Sequence, residues 1–144
     1  MGFLFCALVS TLALVTWFYF LNGNPYAEMM PNVPIFLLIA LGLGFALINA
    51  FLEEGLFRSI FFSLFSKELG IAAAIVLQAV WFGFLHYQSA FPSGTIGIVL
   101  TFLFGSLLGY LVHRTRGILI PILIYIFADF SLFILIVMRM NNLF

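Results

Sequence analysis

Two adjacent glutamates, Glu53 and Glu54, stand with Arg58 in a stretch of the chain that is otherwise apolar. Residues 34–52 before them and residues 59–66 after Arg58 contain no ionisable side chain. A carboxylate near the centre of a bilayer costs roughly 2.5–3.5 kcal/mol on insertion scales, so the two acids need a partner or a function. On a helix, Glu54 and Arg58 lie on one face and can form an ion pair. Glu53 points about 100° away from Glu54, which makes it a candidate general base.

The composition is that of a membrane protein. The chain has 144 residues, of which 65% are hydrophobic and 7% charged, with a mean hydropathy of +1.28. These values predict an all-α, polytopic transmembrane helical bundle that forms a single domain over residues 1–144. A net charge of zero gives no indication of a nucleic-acid partner. The only cysteine, Cys6, excludes an intrachain disulfide and a multi-cysteine metal site.

The apolar stretches predict about five main spans. The first lacks a basic start and a small-residue cleavage site, so it is predicted to be a retained helix rather than a signal peptide. The second is too long for one straight crossing, which predicts a long tilted helix or a bend near Gly42, Gly44 or Gly55. The five predicted spans are residues 2–21, 34–66, 69–87, 95–112 and 118–138.

Polar or turn-forming residues separate these spans and indicate the topology. Residues 22–34 are predicted to be a water-facing loop, Lys67–Glu68 a polar break, residues 88–94 a turn and residues 113–117 a basic turn. If every span crosses once, Lys67 and the basic turn lie on the same side. The positive-inside rule then places the N-terminus and both basic segments in the cytoplasm.

Four ionisable residues are predicted to share one layer of the membrane. Counting from the basic turns at 1.5 Å per residue puts Glu53 and Glu54 at a depth of about 20 Å and Asp129 at about 18 Å. His86 lies about 28 Å from Lys67 along a neighbouring antiparallel helix. A helix tilt of around 20° would reduce the resulting difference in depth by several ångströms.

These residues also belong to polar stripes with a helical period. Polar residues within spans normally face the interior of the bundle, so we expect the stripes to converge in one buried polar site. The stripes are Gln78, Phe82 and His86 on one helix, Tyr125 and Asp129 on another, and Asn49 and Glu53 on a third.

A buried glutamate within reach of a histidine can polarise a water molecule and pass on its proton, which suits the hydrolysis of an amide. Tyr125 is a candidate hydrogen-bond donor to the developing oxyanion. Asp129 can orient a neighbour, or donate if it is protonated. Since Asp129 is the only aspartate, a two-aspartate mechanism has no second member. The chain also lacks a G-x-S-x-G elbow and an H-E-x-x-H zinc helix.

Each of these residues also has a purely structural interpretation. The two glutamates and Arg58 could form an interhelical ion-pair clamp, and Asp129 could make a structural hydrogen bond to a facing helix. Gln78 and Asn49 are predicted to bond helices together, and the short stretch around Ser106, between Gly105 and Gly109, is predicted to pack helices closely.

Two short motifs carry a resemblance to a known family. Glu-Glu-x-x-x-Arg at Glu53, Glu54 and Arg58, followed by Phe-x-x-x-His at Phe82 and His86, resembles the CPBP family. That family comprises the prenyl-CAAX endopeptidases and the bacterial bacteriocin-processing and abortive-infection proteins, which are intramembrane proteases. The resemblance covers roughly residues 34–138.

The resemblance implies a role for each motif residue. Glu53 and His86 would activate the attacking water, while Glu54 and Arg58, with Phe82, would support the site. The family's third motif is His-x-x-x-Asn or His-x-x-x-Asp. Here that motif aligns with the segment from Pro121 to Asp129, and Tyr125 stands where histidine is expected.

Members of the family are commonly described as metalloproteases, so the resemblance also allows a zinc ion. If zinc is present, its ligands would be Glu53, Glu54, His86 and Asp129. Catalytic zinc typically takes three protein ligands, often including two histidines. The chain has only two histidines, and His113 lies in the basic turn far from His86.

The expected function is therefore an intramembrane endopeptidase of the CPBP type in a bacterial plasma membrane. Its partners would be membrane lipid and a substrate. The substrate would be a membrane protein or a membrane-associated peptide, such as a prenylated peptide or a leader peptide. The alternative is a catalytically impaired member of the scaffold, acting as a membrane peptide-binding, protein-binding or immunity protein, because Tyr125 replaces the histidine. A proton or ion pathway would need polar residues that continue to both surfaces, and the sequence shows none. The oligomeric state is left open.

Overall fold

The computed structural model describes residues 9, 12–13, 15–16, 33–87, 92 and 94–140, with the side chains of the last segment described to residue 138. The predicted first span at residues 2–21 and the loop at 22–34 lie largely outside the described residues. The described residues are almost entirely helical and include no strand, which confirms the all-α prediction. The helices are α1 (Ile35–Glu54), a π-helix (Gly55–Phe61), α2 (Phe62–Leu69), α3 (Ile71–Leu85), α4 (Gly94–Thr115) and α5 (Leu119–Met140).

Within the part of the chain that the structure describes, three helical segments are long and apolar enough to cross a membrane: Ile35–Leu69, Gly94–Thr115 and Leu119–Met138. The first of these joins α1, the π-helix and α2 into one run of 35 residues, as the prediction of a long second helix required. Helix α3 is apolar but has only 15 residues. Its length of about 22 Å is short of the roughly 30 Å hydrocarbon core of a bilayer.

The breaks between helices fall at residues with unusual backbone conformations. The predicted break at Lys67–Glu68 is wrong, because the helix continues through both residues to Leu69 and ends at Gly70. Gly70 has φ +87°, a conformation that glycine adopts without steric penalty. The predicted turn at residues 113–117 is shorter than expected, since α4 runs to Thr115 and the reversal occurs at Arg116, which has φ +53°.

The chain divides into two compact units, residues Met1–Asn49 with Ile124–Phe144 and residues Ala50–Leu123. The single domain expected for residues 1–144 stays a prediction. In the first unit α1 and α5 pack closely, because a Cβ added to Gly42 would overlap the ring of Phe133. The buried side chains of Leu38 and Ala46 lie on the same helix as Gly42.

In the second unit, one end is held by an apolar cluster in which Phe62, Ala74 and Val112 are buried. Phe65, Ile75 and Ile118 pack against them. These residues come from α2, from the start of α3, from the end of α4 and from the connection to α5. The cluster therefore brings the α2–α3 and α4–α5 connections to the same end of the unit.

Candidate active site

The ion pair predicted between Glu54 and Arg58 is present. Arg58 Nη1 lies 3.0 Å from Glu54 Oε1, and the exposed fraction of both side chains is 0%. Glu54 is the last residue of α1, and Arg58 lies one turn later in the π-helix. Glu53, on the neighbouring position of α1, is half-buried rather than buried, as expected if it points away from the pair.

The π-helix itself is a feature that the sequence reasoning missed. A helix with i→i+5 hydrogen bonds is rare in proteins, and where one occurs it is frequently at a functional site. It begins at Gly55, one of the three glycines at which a bend was expected, and its buried residues are Phe57 and Arg58. The irregular turn therefore carries the arginine directly after the two glutamates.

His86 lies at the C-terminal end of α3, where its side chain caps the helix. Its backbone N–H donates to the carbonyl of Gly83 at 3.1 Å instead of to that of Phe82. The carbonyl of Phe82 is therefore available to the side chain of His86. Nδ1 lies 2.8 Å from that oxygen. Because a carbonyl can only accept, Nδ1 carries the proton, and the neutral imidazole has a bare Nε2. The side chain is 5% exposed.

Phe82 lies between the ion pair and the histidine. The centroid of its ring is 4.7 Å from Arg58 Cζ and 4.4 Å from the centroid of the His86 ring. The ring of Phe57 meets it edge-on at 5.1 Å. Contacts through Phe82 thus connect the π-helix to the end of α3.

The other polar residue of this stripe, Gln78, bonds α3 to α4. Its Nε2 donates to the carbonyl of Gly105 at 2.8 Å and to that of Ile75 at 2.9 Å. This confirms the prediction that Gln78 joins helices. The buried Oε1 of Gln78 has no hydrogen-bond partner among the described residues.

Helix α4 faces the Gln78–Phe82–His86 stripe with small residues at a period of four. A Cβ on Gly105 would lie 3.1 Å from Phe82 Cδ1, and one on Gly109 would lie 2.6 Å from Gln78 Nε2. These contacts confirm the packing role predicted for the stretch around Ser106. The sequence reasoning missed the rest of the stripe, although its spacing was visible: Gly97, Thr101, Gly105 and Gly109 are all buried.

Gly97 places the first turn of α4 beside the end of α3. A Cβ at this position would overlap the carbonyl oxygen of Pro92 and would lie 3.6 Å from the carbonyl oxygen of His86. The turn starts at Gly94, which has φ +74° and whose N–H donates to the carbonyl of Tyr87 at 3.1 Å. Only glycine fits this approach at position 97 without a shift of the backbone.

The first unit contains the remaining candidates. Asn49 Nδ2 on α1 donates to Asp129 Oδ2 on α5 at 2.9 Å. This bond joins the two helices, as predicted for Asn49, while the role of Asp129 in catalysis stays a prediction. Tyr125, one turn before Asp129 on α5, is buried with 3% of its surface exposed.

The structure thus brings together Glu54, Arg58, Phe82 and His86 in the second unit, and Asn49 with Asp129 in the first. The convergence of Glu53, Glu54, His86 and Asp129 in one pocket stays a prediction. No group of three or more His, Cys, Asp or Glu side chains with the geometry to hold a metal ion occurs among the described residues. His86 Nε2 is a suitable ligand atom, but Glu54 is held by Arg58. These donors do not fit a three-ligand zinc site, and zinc stays an expectation from the resemblance.

Comparison with known proteins identifies a family for this chain. The sequence model of the family described as "Type II CAAX prenyl endopeptidase Rce1-like" matches residues 34–131. That range contains the glutamate pair, Arg58, Phe82 and His86, together with the segment that holds Tyr125 and Asp129. Searches of curated proteins and of solved structures give no significant match. The match covers more than half of the chain, and the chain therefore belongs to the Rce1-like family of type II CAAX prenyl endopeptidases, which are CPBP-type intramembrane proteases.

Proposed function

We propose that this membrane protein hydrolyses a peptide bond in a membrane-associated substrate, using a water molecule activated by Glu53 and His86. The observation that carries the proposal is the hydrogen bond from His86 Nδ1 to the carbonyl of Phe82 at 2.8 Å. It fixes the tautomer in which Nε2 is an acceptor, and this is the form that a water-activating histidine requires. His86 is also buried, and the chain belongs to a family of proteases, and both facts support a catalytic role for this histidine.

In the proposed reaction, His86 Nε2 accepts a hydrogen bond from the water and the carboxylate of Glu53 takes its proton. The water oxygen attacks the scissile carbonyl carbon, forming a tetrahedral intermediate with a negative oxygen. The C–N bond then breaks, and Glu53 returns the proton to the leaving amine. Atoms and charge balance without a further reactant.

The ion pair gives the two adjacent glutamates different tasks. Glu54 is fully buried and held by Arg58 at 3.0 Å, so it supports the site rather than transferring protons. Glu53 is half-buried and lies on a different face of α1. Two like carboxylates thereby acquire a structural and a chemical role.

The roles proposed on α5 rest on the chemistry of the residues. The hydroxyl of Tyr125 can donate a hydrogen bond to the oxyanion. Asp129 accepts a hydrogen bond from Asn49 at 2.9 Å, which fits an orienting role better than a role as proton donor. Neither role requires zinc.

The family supports a membrane-associated peptide as the substrate class. The test uses the full chain in nanodiscs, incubated separately with farnesylated peptides that end in a CAAX sequence and with unmodified leader peptides. We expect cleavage in at least one set, and its loss in Glu53→Gln and in His86→Ala, because each removes one of the groups that activate water. General acid–base groups typically contribute about 10²–10⁴-fold in rate.

Glu68→Gln is the matched control, since Glu68 is an exposed glutamate on α2. It removes one carboxylate charge without touching the site and should retain the parent rate. Unchanged thermal unfolding in all three variants would show that they fold. Cleavage at the parent rate by Glu53→Gln would refute the mechanism.

The alternative is a catalytically impaired protein that binds a peptide or a membrane protein, for instance as an immunity protein. Tyr125 favours it, because a phenol cannot shuttle a proton as an imidazole does near neutral pH. This alternative predicts that the parent and Glu53→Gln bind the same farnesylated or leader peptide with equal affinity while neither turns it over.

A further inference from the structure

Phe82 contacts both halves of the proposed site with a single side chain. Its ring lies 4.7 Å below Arg58 Cζ and 4.4 Å from the imidazole of His86, at an interplanar angle of 56°. Its backbone carbonyl also accepts the 2.8 Å hydrogen bond from His86 Nδ1. The side chain is 1% exposed. The residue therefore holds the histidine by two separate contacts, one through the backbone and one through the ring.

The Phe82 ring lies between Arg58 and His86 and contacts both. A guanidinium over an aromatic face is attracted by the quadrupole of the ring, so the position of Phe82 follows that of Arg58. Arg58 in turn is held by Glu54 at 3.0 Å. On its other side the ring borders the imidazole and limits how that ring can rotate, whereas the Nδ1 hydrogen bond sets the tautomer.

The surroundings leave the Phe82 ring little room to move away. A Cβ on Gly105 would lie only 3.1 Å from Phe82 Cδ1, so the bare glycine backbone of α4 closes one side. The ring of Phe57 closes another at 5.1 Å. A displacement of Arg58 is therefore passed to the imidazole rather than absorbed in free space.

We propose that Phe82 is a positioning residue that couples the Glu54–Arg58 ion pair to the orientation of the His86 imidazole through its aromatic ring. The effect on turnover rests on the proposed function, since it requires His86 to activate water. The coupling to the imidazole is a property of the packing in the second unit and can be measured without turnover.

The test replaces Phe82 with ring-fluorinated phenylalanines of increasing fluorine content in the full chain. Fluorine weakens the quadrupole while nearly preserving the size of the ring, so packing is retained as the attraction to Arg58 falls. Phe61 is the control, because its ring also packs among aromatic rings of this unit, with its centroid 5.7 Å from that of Phe57 and 6.0 Å from that of Phe65. Among the described residues, its ring contacts do not include Arg58, Phe82 or His86.

Two readouts are taken in nanodiscs. The first is kcat and KM for a farnesylated CAAX peptide. The second is the ¹⁵N chemical shift of the His86 imidazole, assigned with His113→Gln because the chain has two histidines. We expect fluorination at position 82 to move the His86 signals stepwise and to lower kcat by about tenfold or more, with KM within about twofold, since small misplacements of a reacting group carry large rate losses.

Fluorination at position 61 should leave the His86 signals in place. Equal changes at positions 61 and 82, or unmoved His86 signals at position 82, would overturn the proposal. If the parent protein cleaves neither the farnesylated nor the leader peptides, the proposed function fails while the ¹⁵N response still decides the coupling. Phe82→Leu gives a second arm with the ring removed, and if it does not fold the fluorinated series still provides the answer.

Discussion

At the scale of single residues, the buried charges of Glu54 and Arg58 depend on each other. Both side chains have 0% exposure and lie 3.0 Å apart. Removing one partner of a buried pair leaves an uncompensated charge, which typically destabilises a protein by about 3–5 kcal/mol. We expect Arg58→Met to lower the free energy of unfolding by that amount, measured by denaturant titration in detergent micelles.

The double variant Glu54→Gln, Arg58→Met removes both charges and should recover most of the loss. Lys67→Met is the control, because Lys67 is an exposed cation at the end of α2. If Arg58→Met unfolded within about 1 kcal/mol of the parent, as a surface substitution does, the ion pair would not support the site.

A substitution at Tyr125 is expected to raise the activity rather than to lower it. Tyr125 is buried on α5, and the resemblance of the motifs predicts that histidine is the usual residue at this position. An imidazole at this position can both donate a hydrogen bond and transfer a proton, so Tyr125→His should raise kcat by about tenfold or more if the native residue limits catalysis. Tyr110→His, at an exposed tyrosine on α4, is the control and should leave kcat unchanged. A fall in kcat with Tyr125→His would mean that the phenol itself contributes to the reaction.

The ion pair could be predicted from the sequence because helical spacing alone puts Glu54 and Arg58 on one face. The tautomer of His86 could not. It depends on the backbone N–H of His86 donating to Gly83, which frees the carbonyl of Phe82 for the side chain. A sequence pattern does not contain that choice of partner at the end of a helix.

At the scale of helices, the packing of α3 on α4 depends on missing side chains. A Cβ on Gly109 would lie 2.6 Å from Gln78 Nε2, which is held by the carbonyls of Ile75 and Gly105. Gly109→Ala would push this amide off both oxygens, and leaving buried hydrogen-bonding groups unpaired costs about 1–3 kcal/mol each. We expect a corresponding loss of unfolding free energy in detergent micelles.

Gly44→Ala is the matched control for that substitution. Gly44 is also a helical glycine, and among the described residues no heavy atom outside its own stretch of helix lies within 4 Å of where its Cβ would be. Alanine should be neutral there or stabilising by up to about 1 kcal/mol, because it favours the helix. Equal losses in the two variants would show that the glycines act through the backbone and not through contact with Gln78.

The existence of the helices follows from apolar composition, and so do most of their approximate bounds. Their ends follow from local conformation instead. Lys67 and Glu68 are polar but suit a helix, so the chain continues through them and breaks at Gly70. The π-helix at Gly55–Phe61 was beyond prediction, since a glycine in a helix indicates a possible irregularity without saying which one.

At the scale of the whole molecule, the arrangement of the second unit predicts part of the membrane topology. The cluster of Phe62, Ala74 and Val112 brings the α2–α3 and α4–α5 connections to one end. In a Cys6→Ser background, Lys67→Cys and Arg116→Cys should therefore react with a membrane-impermeant maleimide from the same side. Tyr87→Cys, just beyond the other end of α3, should not react from that side. Labelling of Lys67→Cys and Arg116→Cys from opposite sides would contradict the arrangement.

The class of molecule was predictable because composition governs partition into lipid: a chain that is 65% hydrophobic and 7% charged can satisfy its backbone in a membrane only as helices or a closed barrel. The number of spans is harder to predict from the sequence, because the hydropathy of α3 is that of a span although the helix has only 15 residues between Gly70 and its C-cap His86. A site built from distant segments of the chain is also hard to predict. Helical spacing indicates which residues share a face, whereas the meeting of different helices depends on tertiary packing.

The proposed function depends on Glu53 and His86 activating the water molecule that hydrolyses the peptide bond. The most direct measurement is cleavage of a farnesylated CAAX peptide by the nanodisc-embedded protein in H₂¹⁸O, read by mass spectrometry of the new carboxylate. We expect ¹⁸O to enter the product made by the parent and by Glu68→Gln, and we expect no labelled product from Glu53→Gln or His86→Ala. Labelled product formed at the parent rate by Glu53→Gln or by His86→Ala would contradict the proposed function.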